Sequence, residues 1–187
     1  MALNLKEALK SLFRMGRKPN SDEDEEGPIS MVLLLREPRF LKLDQLRTAG
    51  ETAFGVPFGE NKDAPNFVMQ TILVTLIRVG PHTLSSLNFT KPYGEDRQAN
   101  FLASMKKPAQ RQAWAAHTAW TAIDYVKGSP NPDLAYAVLA NLCQALVDVN
   151  CVGIWMPHAR MMIPAGEPLQ QYLKRVGESV PLGIKAG

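Results

Sequence analysis

Apolar and polar positions alternate along this chain with two different periods, and the switch between periods marks out the elements. Ile29 to Leu35 is a continuous run of mostly apolar residues bounded by Pro28 and Pro38, the pattern of a buried strand. Leu43, Leu46, Ala49, Ala53 and Phe54 then recur at helical spacing and stop at Gly55, so a helix is expected over 43–54. A loop over 56–66 leads to Phe67–Val79, whose Val68, Ile72, Val74, Thr75, Ile77 and Val79 predict one long strand. Gly80-Pro81 turns the chain, and Thr83–Phe89 returns beside it before Pro92-Tyr93-Gly94 closes the unit.

Residues 95–113 read as a polar connection, helical around Asn100–Met105 and broken by Pro108. Ala116–Val126, with Thr118, Trp120, Thr121, Ile123 and Tyr125, favours a strand. Asn131-Pro132-Asp133 places a cap, a first-turn proline and an acid at the start of a helix running to about Val147. Cys151–Met156 and Arg160–Ile163 are strands joined by the Pro157-His158 turn, and Leu169, Tyr172, Leu173 and Val176 mark a terminal helix over 167–177.

Units 29–94 and 114–166 thus share an order: strand, helix, strand, Pro-His turn, strand. That order predicts an α+β fold over 29–187, in which duplicated βαββ units form an antiparallel or mixed sheet with helices packed on one face. Before it, Leu5, Leu9, Leu12 and Phe13 lie on one side of a helical period and Lys6, Lys10, Arg14 and Arg17 on the other. This predicts an amphipathic helix within 1–18, suited to docking on the domain, on a partner or on a membrane surface, followed by an acidic linker over 19–28.

The helix ending near Val147 is apolar nearly all round from Leu134, apart from Asn141 and Gln144. A surface helix needs only one apolar stripe, so this one requires cover on more than one side. A second copy of the chain is one candidate cover.

Composition narrows the function classes. With 45% hydrophobic and 21% charged residues, the chain can form a core and is not disordered throughout. A net charge of +3 without a dense basic stripe gives no reason to expect a nucleic-acid partner. No apolar run approaches the roughly 18 residues of a membrane span. No secretory leader is recognisable at the start, so the expected location is the cytoplasm, and Cys143 and Cys151 are expected as buried small hydrophobes.

Phosphate-loop, dinucleotide, nucleophile-elbow and paired-cysteine metal motifs are all missing, so no catalytic residue, metal or cofactor is expected. What remains is a candidate ligand-binding set. His117, Trp120, Trp155, His158 and Arg160 would form a pocket between the two units if they converged, with imidazoles for proton transfer, indoles for a cleft wall and a guanidinium for an anion. His82 and His158, each following a proline, are expected at exposed turns.

Trp114-Ala115-Ala116-His117 through Tyr125, the Asp148–Pro157 stretch with Val152-Gly153-Ile154-Trp155, and Pro92 and Pro164 together resemble DUF4261, an uncharacterised bacterial family. The likeness spans about residues 29–175 and implies no established activity. The leading expectation is a non-catalytic protein-interaction module, with self-association through the apolar helix above as one form of it. A small-molecule binder or enzyme at the inter-unit set, and a peripheral membrane protein attached through Leu5, Leu9, Leu12 and Phe13, are the rivals.

Overall fold

In a computed structural model, residues 28–72, 74–95 and 98–184 are described. The amphipathic segment 1–18 and most of the acidic linker lie outside them. The described chain runs β1 (Ile29–Leu35), α1 (Leu43–Phe54), β2 (Phe67–Gln70), β3 (Thr75–Val79), β4 (His82–Phe89), α2 (Gln98–Ser104), α3 (Pro108–Ala116), β5 (Ala119–Lys127), α4 (Pro132–Leu146), β6 (Cys151–Met156), β7 (Met161–Pro164) and α5 (Glu167–Gly177). All seven strands join one sheet in the order β2-β3-β4-β5-β1-β6-β7, each pairing antiparallel. The fold is α+β, with helices packed on an antiparallel sheet.

Alternation along β1 assigns the two faces of that sheet. Met31, Leu33 and Leu35 point to the larger core, which α1, α4 and α5 supply through Leu46, Leu139, Leu142, Leu169 and Leu173. Val32 and Leu34 point to the opposite face, where Trp114 of α3 and Met105, Trp155 and Met162 pack. The expected helices on one face are α1, α4 and α5. The 98–116 segment adds α2 and α3 on the other face, because Pro108 starts a helix as its first residue rather than breaking one. Gln110 Nε2 donates to Met162 O at 2.8 Å and ties α3 to β7.

The shared order of the two halves does not extend to the sheet. Phe67–Val79 is not one strand: it folds at 71–74 into the β2–β3 hairpin, where Thr71 N–H donates to Val74 O at 2.8 Å and Ile72 is fully exposed. After α1 the chain lands on the far edge of the sheet and walks inward to β4. After α4 it lands beside β1 and walks outward to β7. The halves also interleave, since β5 lies between β4 and β1.

Helix α4 obtains its cover from the same chain. Asn131 caps it by accepting from Asp133 N–H at 2.9 Å, and Pro132 occupies its first turn. Ala135, Ala137, Val138, Leu139, Ala140 and Leu142 are all fully buried. The sheet lies beneath α4, while α1 and α5 flank it. The apolar surface that suggested a second copy is therefore satisfied within the molecule.

Candidate functional site

Three of the five expected binding residues meet on the second face of the sheet. Trp120 lies opposite Leu34, and Trp155 opposite Val32, one step along the sheet. Trp120 stacks on Phe89 with ring centroids 3.9 Å apart and 14° between planes, and meets Tyr93 edge-on at 5.0 Å. Trp114 links the rest, contacting Tyr93 at 6.2 Å, Phe101 at 4.8 Å, Trp155 at 5.6 Å and His117 at 5.0 Å. Edge-on and offset arrangements of this kind suit the charge distribution of aromatic rings. Gly94 allows the packing: its φ is +63°, and a Cβ there would lie 2.6 Å from the Phe101 ring.

His117 does not reach a ligand site from this position. It is the residue after α3 rather than a strand residue, and it is buried. Its Nδ1–H donates to Trp114 O, and its Nε2 accepts from Tyr93 N–H at 2.9 Å. Both nitrogens are engaged in pinning the 90–95 loop to the end of α3. Burial lowers its pKa, with the two backbone hydrogen bonds opposing.

His158 and Arg160 lie elsewhere. They occupy the exposed β6–β7 turn, beyond the Val32–Trp155 pairing, whereas His117 precedes Thr118, which bonds Leu35 O at the other end of β1. The five residues do not converge on one pocket, because His158 and Arg160 lie at the end of the sheet away from His117. Exposure of His158 matches expectation; His82 differs. His82 is 1% exposed, its Nε2–H donates to Leu182 O at 2.8 Å, and its Nδ1 accepts from the Tyr125 hydroxyl at 2.7 Å. The Tyr125 oxygen in turn accepts from Ser129 N–H at 2.8 Å. The Gly80-Pro81 turn is where expected, but the segment carrying Leu182 covers the histidine.

A feature absent from the expected set lies on the same face as Trp120. Asp124 is fully buried at the centre of the sheet, where Ser30 Oγ donates to it at 2.6 Å and Ser85 Oγ at 3.3 Å. The trio bridges β1, β5 and β4 through side chains in register. Burial raises the Asp124 pKa, and the two serine hydrogen bonds pull it back. Burial also raises the Tyr93 phenol; the Trp155 indole hydrogen bond lowers it, and the Asp124 charge raises it further. Cys143 and Cys151 are buried and free, and burial drives both thiols up, Cys151 to about 11. Neither is a nucleophile near neutral pH.

A surface concavity lies on the helix side, between α1 and the end of α4. It is an open groove of about 420 Å³. Leu41, Ala49 and Leu146, each less than a tenth exposed, form its floor. Asp44, Thr48 and Thr52, at i, i+4 and i+8, form one exposed wall along α1. Arg39 and Asp148 form the other as an ion pair, with Arg39 Nη2 also donating to Leu146 O at 3.2 Å. Asn150 holds this loop to the segment that follows β1: its Nδ2 donates to Glu37 O at 2.9 Å and its Oδ1 accepts from Glu37 N–H at 2.9 Å. Next in sequence to lining residues, Phe40 is 64% exposed and Val149 96%.

Sequence reasoning misses this groove because its wall is the ordinary polar face of α1, and its far side comes from residues about a hundred positions later. Phe40, two residues after Pro38, was a faint signal, because the sequence does not show that it is exposed. Among the described residues, no group of three His, Cys, Asp or Glu side chains could hold a metal ion, and no helix is long and apolar enough to cross a membrane. Comparison with family models, with curated proteins and with solved structures finds no match to this chain. The likeness to DUF4261 therefore rests on the sequence pieces alone.

Proposed function

We propose that this protein is a non-catalytic binding module that takes a partner protein in the groove between α1 and the end of α4. The observation that carries the reading is an apolar floor whose bordering segments carry two solvent-exposed apolar side chains, Phe40 between the lining residues Arg39 and Leu41, and Val149 next to the lining residue Asp148. Isolated exposed apolar residues need no explanation, but two on the segments bordering a concavity are the arrangement that a partner's anchor side chain uses. The rest of the molecule agrees with it. His82 and His117 use both ring nitrogens for internal bonds, both thiols are buried, and Asp124 is sealed between two serines. These five groups are buried and serve the fold. Self-association has lost its motive, since α4 is covered by α1, α5 and the sheet.

Photo-crosslinking from single sites tests the proposal. A photoreactive residue at Thr48 or Thr52 is expected to capture one defined partner in the native host, and the Phe40→Ser change to weaken that capture. The same group at His158 is expected to capture nothing. Equal capture from His158, or none from the groove, would defeat the reading.

A further inference from the structure

Resting on that groove reading, we infer that the groove selects a partner segment whose apolar side chain is flanked by lysine or arginine. Three features set the sign. Asp44 stands on the α1 wall with its side chain 87% exposed, and Asp148 stands opposite at 43%. The groove's own cation, Arg39, is only 19% exposed and is already committed to Asp148 and to Leu146 O. Of the charges lining the groove, two acids therefore face one base that is turned inward. Arg47 reaches Asp44 at 3.3 Å but is shared with Glu60 at 3.4 Å, which leaves the same excess of one negative charge.

Third, the groove is built at the C-terminus of α4. The partial negative charge of a helix concentrates there, and α4 has no basic residue in its last turn. Arg39 partly fills that role from outside the helix. An incoming cation would meet Asp44, Asp148 and the α4 carbonyl end together, while the apolar side chain beside it settles on Leu41, Ala49 and Leu146. An incoming carboxylate would face two like charges. The occupant argued here belongs to a partner protein, although this chain's own residues 1–18 carry a similar composition.

The test uses the full chain and two short labelled synthetic peptides. One has central leucines flanked by lysines; its twin has glutamates at the same places. Fluorescence polarisation is expected to show the lysine peptide binding roughly 10-fold or more tightly than its twin at low salt, with the gap narrowing as salt screens the charges. Asp44→Lys, at an exposed helical position, is expected to erase most of the difference. Thr48→Trp, which fills the groove from an exposed site, is expected to abolish binding of both peptides. If the glutamate twin binds equally well and Thr48→Trp still blocks it, the charge inference fails and the groove reading stands. If Thr48→Trp affects neither peptide, both fail. A Lys6→Glu, Lys10→Glu variant of the full chain that binds the lysine peptide more tightly would assign the seat to the chain's own N-terminal segment and overturn a partner as its occupant.

Discussion

The two faces of this sheet are closed by different chemistry. On one, three helices lay mostly aliphatic side chains over Met31, Leu33 and Leu35, with Asn141 of α4 donating to Gly177 O of α5 at 3.0 Å as a polar tie between them. On the other, six aromatic residues from a loop, two short helices and three strands interlock over Val32 and Leu34, with a carboxyl and two serines buried alongside. An aliphatic face tolerates local repacking, because methylene groups fill space without directional demands. A face built from edge-on rings and hydrogen bonds has few alternative arrangements, so it is expected to respond more sharply to single changes.

The most severe test of that contrast pairs two fully buried residues. Trp114→Ala removes the ring that touches Tyr93, Phe101, Trp155 and His117, and is expected to cost about 4 kcal/mol or more. Leu139→Ala in α4, equally buried on the helix side, is expected to cost about 3 kcal/mol. Denaturant titration of both reads the difference. A larger loss at Leu139 would mean that the aromatic face is the more forgiving of the two.

His117 gives the next effect. His117→Ala leaves Trp114 O and Tyr93 N–H without their partners in a buried place, which is expected to cost about 2 kcal/mol. Its pH signature has a definite sign. The folded-state pKa lies below the unfolded value of 6.5, so the unfolded chain takes up the proton first. The stabilisation is complete above 6.5 and is lost as pH falls through the lower folded value. His117→Ala is expected to flatten stability measured across that acidic range; an unchanged slope would show that another group controls it.

Asp124 acts in the opposite sense on the same face. Its folded pKa is raised above 3.8, so its contribution is greatest at low pH and fades as pH rises from 3.8 through the folded value. Asp124→Asn keeps a partner for Ser30 and Ser85 without a buried charge. It is expected to remove that fading and to raise stability at neutral pH by about 1 kcal/mol. A loss of several kcal/mol instead would show that the ionised carboxylate itself holds β1, β4 and β5 together.

The helix face was also the more legible in sequence, for a physical reason. Strand β1 and helix α1 fall on their predicted spans, and α4 and β6 within a residue of theirs, because a buried strand or an amphipathic helix writes its period locally. The β2–β3 hairpin left no such record. Its turn, Thr71 to Val74, contains no Gly, Pro, Asn or Asp, so a run of branched residues hides a reversal. On the second face, Pro108 read as a breaker turned out to start α3, which took Ala116 and His117 off the expected strand. Trp120 and Trp155 were found by residue type, but their neighbours Tyr93 and Phe101 arrive from a loop and from α2, whose positions only the sheet order determines. The groove is harder still, since polar helix positions look alike whether or not a concavity lies beside them.

The smallest expected effect concerns the β6–β7 turn, which belongs to neither face. Arg160 has φ +48°, a left-handed conformation that side chains with a Cβ adopt at a cost, and it is exposed. If the arginine serves only to complete the turn closed by its own N–H to Pro157 O at 3.1 Å, Arg160→Gly should relieve strain. Stability is then expected to rise by about 0.5 kcal/mol, with His158→Ala beside it neutral within the same margin. Thermal unfolding resolves the sign. A loss on Arg160→Gly would mean that the guanidinium makes a contact that outweighs the strain, and the turn would then rank with the two faces as a structural element.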